Sequence, residues 1–116
     1  MADLRNQILN TDDIKEEVVE VEEWDCKVLV RGLSGKDRSE ILNNALTNNN
    51  RFDFSKVYPD LVIATAFDPE TKEKIFKKTD RDAINNKSGS ALEKIAGVAV
   101  RLSGLGQQGV NMAVKN

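Results

Sequence analysis

Residues 16–33, EEVVEVEEWDCKVLVRGL, alternate between apolar and polar positions. Val19 and Val21 alternate with Glu20 and Glu22; Trp24, Cys26, Val28 and Val30 alternate with Asp25, Lys27, Leu29 and Arg31. A period of two places one set on a core face and the other toward solvent, and the β-branched and aromatic content agrees with strand. The break near Glu22-Glu23 predicts two short strands joined as a hairpin, without an Asn-Gly type turn signal. On this alternation Cys26 faces the core beside Trp24 and Val28, as a small buried hydrophobe.

Beyond residue 31 the period lengthens to that of helices. Residues 32–50 read as a helix with Ser34 as cap and Asp37 three positions on. Its apolar stripe is Ile41, Leu42, Ala45 and Leu46, and Asn48-Asn49-Asn50 ends it. Residues 54–67 read as a second helix, capped by Ser55, with Pro59 in its first turn and Leu61, Val62, Thr65 and Ala66 on its inner face. Asp68-Pro69 stops it and begins a charged turn, after which Ile75 and Phe76 are expected back on the core. Residues 79–87 read as a short helix capped by Thr79, with Asp82 three positions later. Residues 88–106 carry the clearest helical pattern, with Ser90 as cap. Leu92, Ile95, Ala99 and Leu102 share one face, widened by Ala96, Val98 and Leu105. Gly97 inside it costs about 1 kcal/mol relative to Ala, as at a position another helix approaches closely. Gly104 or Gly106 supplies the stop.

These elements predict an α+β, mostly helical fold, with an N-terminal β-hairpin packed on a bundle of about four helices. Residues 1–15 are expected as a flexible acidic arm, 16–106 as a single globular domain and 107–116 as a weakly ordered tail. The chain of 116 residues suits one core.

Charge alters this picture at one place. Residues 1–25 carry nine acidic side chains against Arg5 and Lys15, a net of −7, whereas residues 26–116 carry ten against fifteen basic ones, a net of +5. The arm reads either as a solvated segment or as one that pairs with basic surface, its own or a partner's. Basic residues are dispersed and aromatics make up 5%, which does not favour nucleic acid. No apolar run reaches the roughly 18 residues of a membrane helix, and the N-terminus does not read as a secretory signal. The expected location is cytoplasmic.

Two absences narrow the chemistry. There is no histidine and only one cysteine. The Ser-His and Cys-His nucleophile systems, structural zinc sites and iron–sulfur ligation therefore lack their residues. Catalysis by carboxylates or lysine is the enzymatic alternative, and the chain is expected not to be an enzyme. Asp68, Glu70 and Glu73 cluster in DPETKEK, but the stretch lacks the glycine bend of a calcium loop, carries a stiff proline and interleaves lysines. It reads as a turn, and neither metal nor cofactor is expected. Gly32, Gly35 and Lys36 have the wrong spacing for a phosphate loop. Arg31, between a strand and a helix start, reads as a structural ion pair or a partner contact. Trp24, Arg31, Leu102 and Leu105 are the candidate partner-binding residues, with the 92–105 stripe read as wider than one small core requires.

The order VEEWDCKVLVRGLSGKDRSEIL (21–42), YPDLVIATAFDPETKEKIF (58–76) and SALEKIAGVAVRLSGLG (90–106) resembles the tail assembly chaperones of long-tailed bacteriophages. The landmarks are Glu23-Trp24, Arg31, Leu33 and Ser34, Arg38 early in the following helix, Asp68-Pro69-Glu70-Thr71 with Ile75-Phe76, and Leu102–Leu105. Where that family often has glycine after the tryptophan, this chain has Asp25. The resemblance implies a chaperone that binds the tape-measure protein, recruits tail-tube subunits and is absent from the mature virion, working in the host cytoplasm, with self-association possible. In many phages of the family a programmed frameshift adds a C-terminal extension. The alternatives are a tail-completion or head–tail connector subunit retained in the particle and, from the enzyme class, a carboxylate-dependent hydrolase.

Overall fold

The computed structural model describes residues 3–51 and 53–105. The hairpin forms as the alternation predicts. Strand β1 (Glu16–Val21) runs antiparallel to β2 (Cys26–Arg31), with Glu16 opposite Arg31 and Val21 opposite Cys26. A single 3-10 turn, Glu22–Trp24, leads to Asp25 at φ 50° and ψ 46°. That left-handed conformation favours Gly, Asn or Asp. Asp25 therefore stands where a glycine is natural, and the turn closes without an Asn-Gly pair.

A third strand, β3 (Ala66–Phe67), pairs antiparallel with β2, placing Phe67 opposite Leu29 and Ala66 opposite Val30. Sheet order is β1-β2-β3. β2 is thus central, and its expected alternation fails: Val28, Leu29 and Val30 are all buried. Leu29 was expected to face solvent; it lies between Val18 and Phe67 on the face opposite the main core. Cys26 corrects the reading in the other sense, because it is exposed. The 3-10 turn and the left-handed Asp25 interrupt the strand between Trp24 and Cys26. The alternation does not carry across them, and Cys26 lines an open depression with Glu20, Asp25 and Lys27.

Five helices are present among the described residues. Helix α1 (Leu4–Leu9) lies in the arm, where no regular element was expected, and none of its residues is buried. Helix α2 (Gly35–Ala45) is capped as predicted, Ser34 Oγ accepting from Asp37 N at 3.2 Å. It ends at Ala45, short of the asparagines. Leu46 is extended and 40% exposed, while Asn50 takes a left-handed φ of 60° in the following loop. Helix α3 (Tyr58–Thr65) starts later than expected, with Val57 rather than Ser55 at the cap position and Pro59 in its first turn. Its inner face of Leu61, Val62, Thr65 and Ala66 is completely buried, and Thr65 Oγ1 donates to Leu61 O at 2.6 Å, so its hydroxyl is satisfied inside the core.

Helix α4 (Arg81–Asn85) is not capped by Thr79; Asp80 Oδ2 instead accepts from Lys77 N at 2.8 Å and fixes the turn before it. Helix α5 (Gly89–Leu102) begins at Ser88, two residues before the expected Ser90, with Ser88 Oγ accepting from Ala91 N at 3.3 Å. Ala91, Leu92, Ile95, Ala96 and Ala99 are buried against α3 and the hairpin strands. Gly97 is exposed, and a Cβ there would meet nothing within 4 Å, so no helix approaches it in this chain. The close approach is at Gly32, where a Cβ would lie 3.0 Å from the backbone oxygen of Leu102. Gly104, at φ 73°, reverses the chain after α5 as predicted. Leu105 N donates to Val100 O at 2.8 Å and Gly104 N to Arg101 O at 3.3 Å, the bond pair that ends a helix around a left-handed residue. The expected weakly ordered tail (107–116) lies outside the described residues.

Candidate functional site

Two ion pairs fasten α5 to the hairpin. Arg101 Nη2 donates to Glu17 Oε1 at 2.8 Å and Oε2 at 2.9 Å. Lys94 Nζ donates to Glu23 Oε1 at 2.9 Å. Lys94 and Arg101 are seven residues apart, two helical turns on one face. The Lys94 hydrogen bond, then backbone and Ser90 hydrogen bonds, hold the Glu23 carboxyl down at about 2. The same bond raises Lys94 above its ordinary value.

The four candidate residues do not form one patch. Trp24 and Arg31 flank opposite ends of β2, which at about 3.3 Å per residue separates them by roughly 20 Å. Arg31 is committed within the chain. Its Nη2 donates to Asp12 Oδ1 at 3.3 Å, its Nε sits 3.3 Å from Glu16 Oε2 as a charge contact without hydrogen-bond alignment, and its guanidinium lies 5.7 Å from the Phe67 ring centre. Glu16 also meets Lys72 at 3.8 Å. One acid of the arm, Asp12, thus pairs with basic surface of the same chain, as does Glu16 at the start of β1. Lys15 O accepts from Gly32 N at 2.8 Å, tying the end of the arm to β2.

Leu102 and Leu105 lie at the Arg31 end. Leu102 is half-buried and Leu105 is 3% exposed. Leu105 belongs to the core because the turn at Gly104 folds it back, and Ser103 Oγ, in that turn, accepts from Leu33 N at 2.8 Å. The apolar stripe of α5 is therefore occupied by the chain's own core, not spread as free surface.

DPETKEK is a self-contained turn. Asp68 Oδ1 accepts from Glu70 N at 2.8 Å, Asp68 N donates to Glu73 O at 2.8 Å, and Lys72 takes a φ of 64°. Among the described residues no three acidic or cysteine side chains gather as a metal-binding group. Of the two residues expected back on the core, which follow the short bridge of Lys74 to Phe67, Phe76 packs against it, but Ile75 is 42% exposed.

Two surfaces escaped the sequence reading. Helix α1 exposes Leu4, Ile8 and Leu9; their spacing was visible, but six residues are too few for a pattern to stand out. The second is a hollow of about 530 Å³ lined by Trp24, Phe76, Asp80, Ala83, Ile84 and Lys87. It joins residues more than 50 positions apart, which no local pattern announces.

No protein-family model matches the sequence, and no curated protein matches it. Among solved structures, that of the bacteriophage HK97 tail assembly chaperone is similar, with a TM-score of 0.57 and 18% identity over 87% of this chain and 98% of that one. The hairpin, the turn at Asp68 and the glycine-terminated last helix, the landmarks of the sequence resemblance, thus sit in a chain with the fold of a phage tail assembly chaperone.

Proposed function

We propose that this protein is a bacteriophage tail assembly chaperone: a non-enzymatic binding protein that engages the tape-measure protein and recruits tail-tube subunits during tail morphogenesis. The observation that carries the reading is the fold likeness to the HK97 chaperone, which spans nearly the whole of both chains. The independent sequence landmarks point the same way. A chaperone of this kind needs apolar surface for a client and no catalytic group. Leu4, Ile8 and Leu9 on α1, together with Val18, Leu46 and Ile75, are the large apolar side chains left exposed among the described residues. The protein acts in the host cytoplasm, without a cofactor, and leaves before the particle is finished.

The test is co-expression with the tape-measure and tail-tube proteins of the same genome, followed by analysis of purified particles. Co-purification with either, and absence from particles, is the expected result. Association with neither overturns the proposal; presence in finished particles favours the retained connector subunit.

A further inference from the structure

We infer that α1 is a lid, poised to close over the outer face of the sheet of its own chain and to mask that face when no client is bound. What the lid regulates rests on the chaperone reading; that it closes does not.

Strand register sorts the sheet into two faces. Glu17 lies on the inner face, where it reaches Arg101 of α5. Val18 of β1, Leu29 of β2 and Phe67 of β3 stand opposite one another on the outer face and form an apolar row across the three strands. Leu29 is buried, Val18 is half-exposed and Phe67 half-buried, and none of the three joins the main core. At about 4.8 Å per strand spacing the row is roughly 10 Å wide. Helix α1, with six residues at about 1.5 Å each, is roughly 9 Å long. Its Leu4 and Ile8 lie one turn apart on one face and Leu9 borders it; all three are at least 60% exposed, and no residue of α1 is buried. Isolated helices shorter than about 12 residues are marginal in water, so α1 gains order by packing its apolar face on something.

The arm is already tethered on the outer side. Arg31 shares that face with Leu29, its guanidinium lies 5.7 Å from the Phe67 ring centre, and its Nη2 donates to Asp12 Oδ1 at 3.3 Å. The three steps of chain from Asp12 back to Leu9 reach about 10 Å. Arg31 is two positions from Leu29 along β2, about 7 Å, so α1 can reach the row with the Asp12 tether intact. Charge matches as well. By helical spacing Arg5 falls between Ile8 and Leu9 on the apolar arc. Glu20 follows Val18 on the outer face, where Lys27 stands opposite it. Neither Arg5 nor Glu20 makes an ion pair among the described residues. Closure covers Leu4 and Ile8 with Val18 and Phe67 and brings Arg5 to Glu20. The lid thereby hides four of the six large apolar side chains that the open chain exposes.

Cys26 is the only cysteine, so Val18→Cys in a Cys26→Ser background places a single thiol in the row. Its reaction rate with N-ethylmaleimide, a neutral reagent, is measured with the natural arm and with Leu4→Ser and Ile8→Ser combined. Both arm positions are exposed, and circular dichroism verifies folding. The thiol is expected to react at least fivefold faster in the serine variant. Arg5→Glu should also speed it, although a nearby negative charge by itself suppresses the reactive thiolate. Equal rates with the natural and the serine arm overturn the lid and leave the chaperone reading intact. Protection that grows with protein concentration means that the arm covers a neighbouring copy, which overturns closure within the chain. In co-expression with the tape-measure and tail-tube proteins, the serine variant should capture at least twofold more partner than the natural chain. Equal or lower capture overturns the masking role. Capture by neither sinks the chaperone reading, and the thiol rates still decide whether the lid closes.

Discussion

Gly97→Ala tests the account of α5 most directly. Gly97 lies inside the 14-residue helix Gly89–Leu102, and a Cβ added there meets nothing within 4 Å. The substitution therefore carries no steric cost. It removes the backbone freedom glycine has in the unfolded chain and gains helix propensity, together about 0.8–1.0 kcal/mol. An unfolding entropy of about 2.1 cal/mol/K per residue over the 116 residues corresponds to about 0.24 kcal/mol/K, so Tm should rise by about 4 °C. Thermal unfolding followed by circular dichroism at 222 nm measures it. Gly32→Ala is the internal control. Its Cβ would lie 3.0 Å from the Leu102 carbonyl, backbone that cannot step aside cheaply, so that variant should lose stability. A fall in Tm for Gly97→Ala would refute the reasoning and show that something packs on that face of α5 in solution.

Further outcomes follow from other contacts. Replacing Asp25, at φ 50°, with Gly should leave stability unchanged or raise it, whereas Asp25→Val should cost about 1–2 kcal/mol in urea unfolding, since a β-branched residue resists the left-handed region. Ser103→Ala removes the acceptor of the part-buried Leu33 amide and should cost about 1–3 kcal/mol; a neutral result would mean that water replaces the hydroxyl. Glu23 should titrate near 2 by carboxyl NMR and rise toward the ordinary carboxylate range in Lys94→Met, held partly down by the backbone and Ser90 hydrogen bonds that remain. Because its folded pKa is depressed, its stabilisation is full above the unfolded value of about 4.3 and is lost as pH falls through about 2; a midpoint above 4 would remove the Lys94 contact from the account. Leu105→Ala should cost about 2–5 kcal/mol, as for a core leucine, and a cost below about 1 kcal/mol would show that Leu105 is not buried in solution.

The local elements were legible because their causes are local. Ser34 caps α2 through an amide three residues away; Asp68 shapes its own turn; Gly104 ends α5. Several residues that carry the family resemblance are of this kind: Ser34 caps a helix, Asp68 shapes its own turn and Leu105 is folded back by Gly104, so each directs the chain locally. Helix starts were less legible, since Ser88 and Ser90 are chemically equivalent caps and only the packing of Ala91 and Leu92 chooses between them.

By itself the sequence determined the hairpin, the order of the helices and the absence of histidine and disulfide chemistry, because periodicity, capping and composition are properties of neighbouring residues. Tertiary structure alone decided the rest. Whether Leu29 is buried depends on β3 arriving beside β2 from almost 40 residues downstream. Whether Cys26 is exposed depends on a backbone turn that interrupts the alternation. Whether Leu105 is surface or core depends on the fold-back after Gly104. The hollow at Trp24 exists only because α4 packs near the hairpin turn. A side chain's hydrophobicity is written in the sequence, but its solvent exposure is a relation among distant residues, and only the folded chain specifies it.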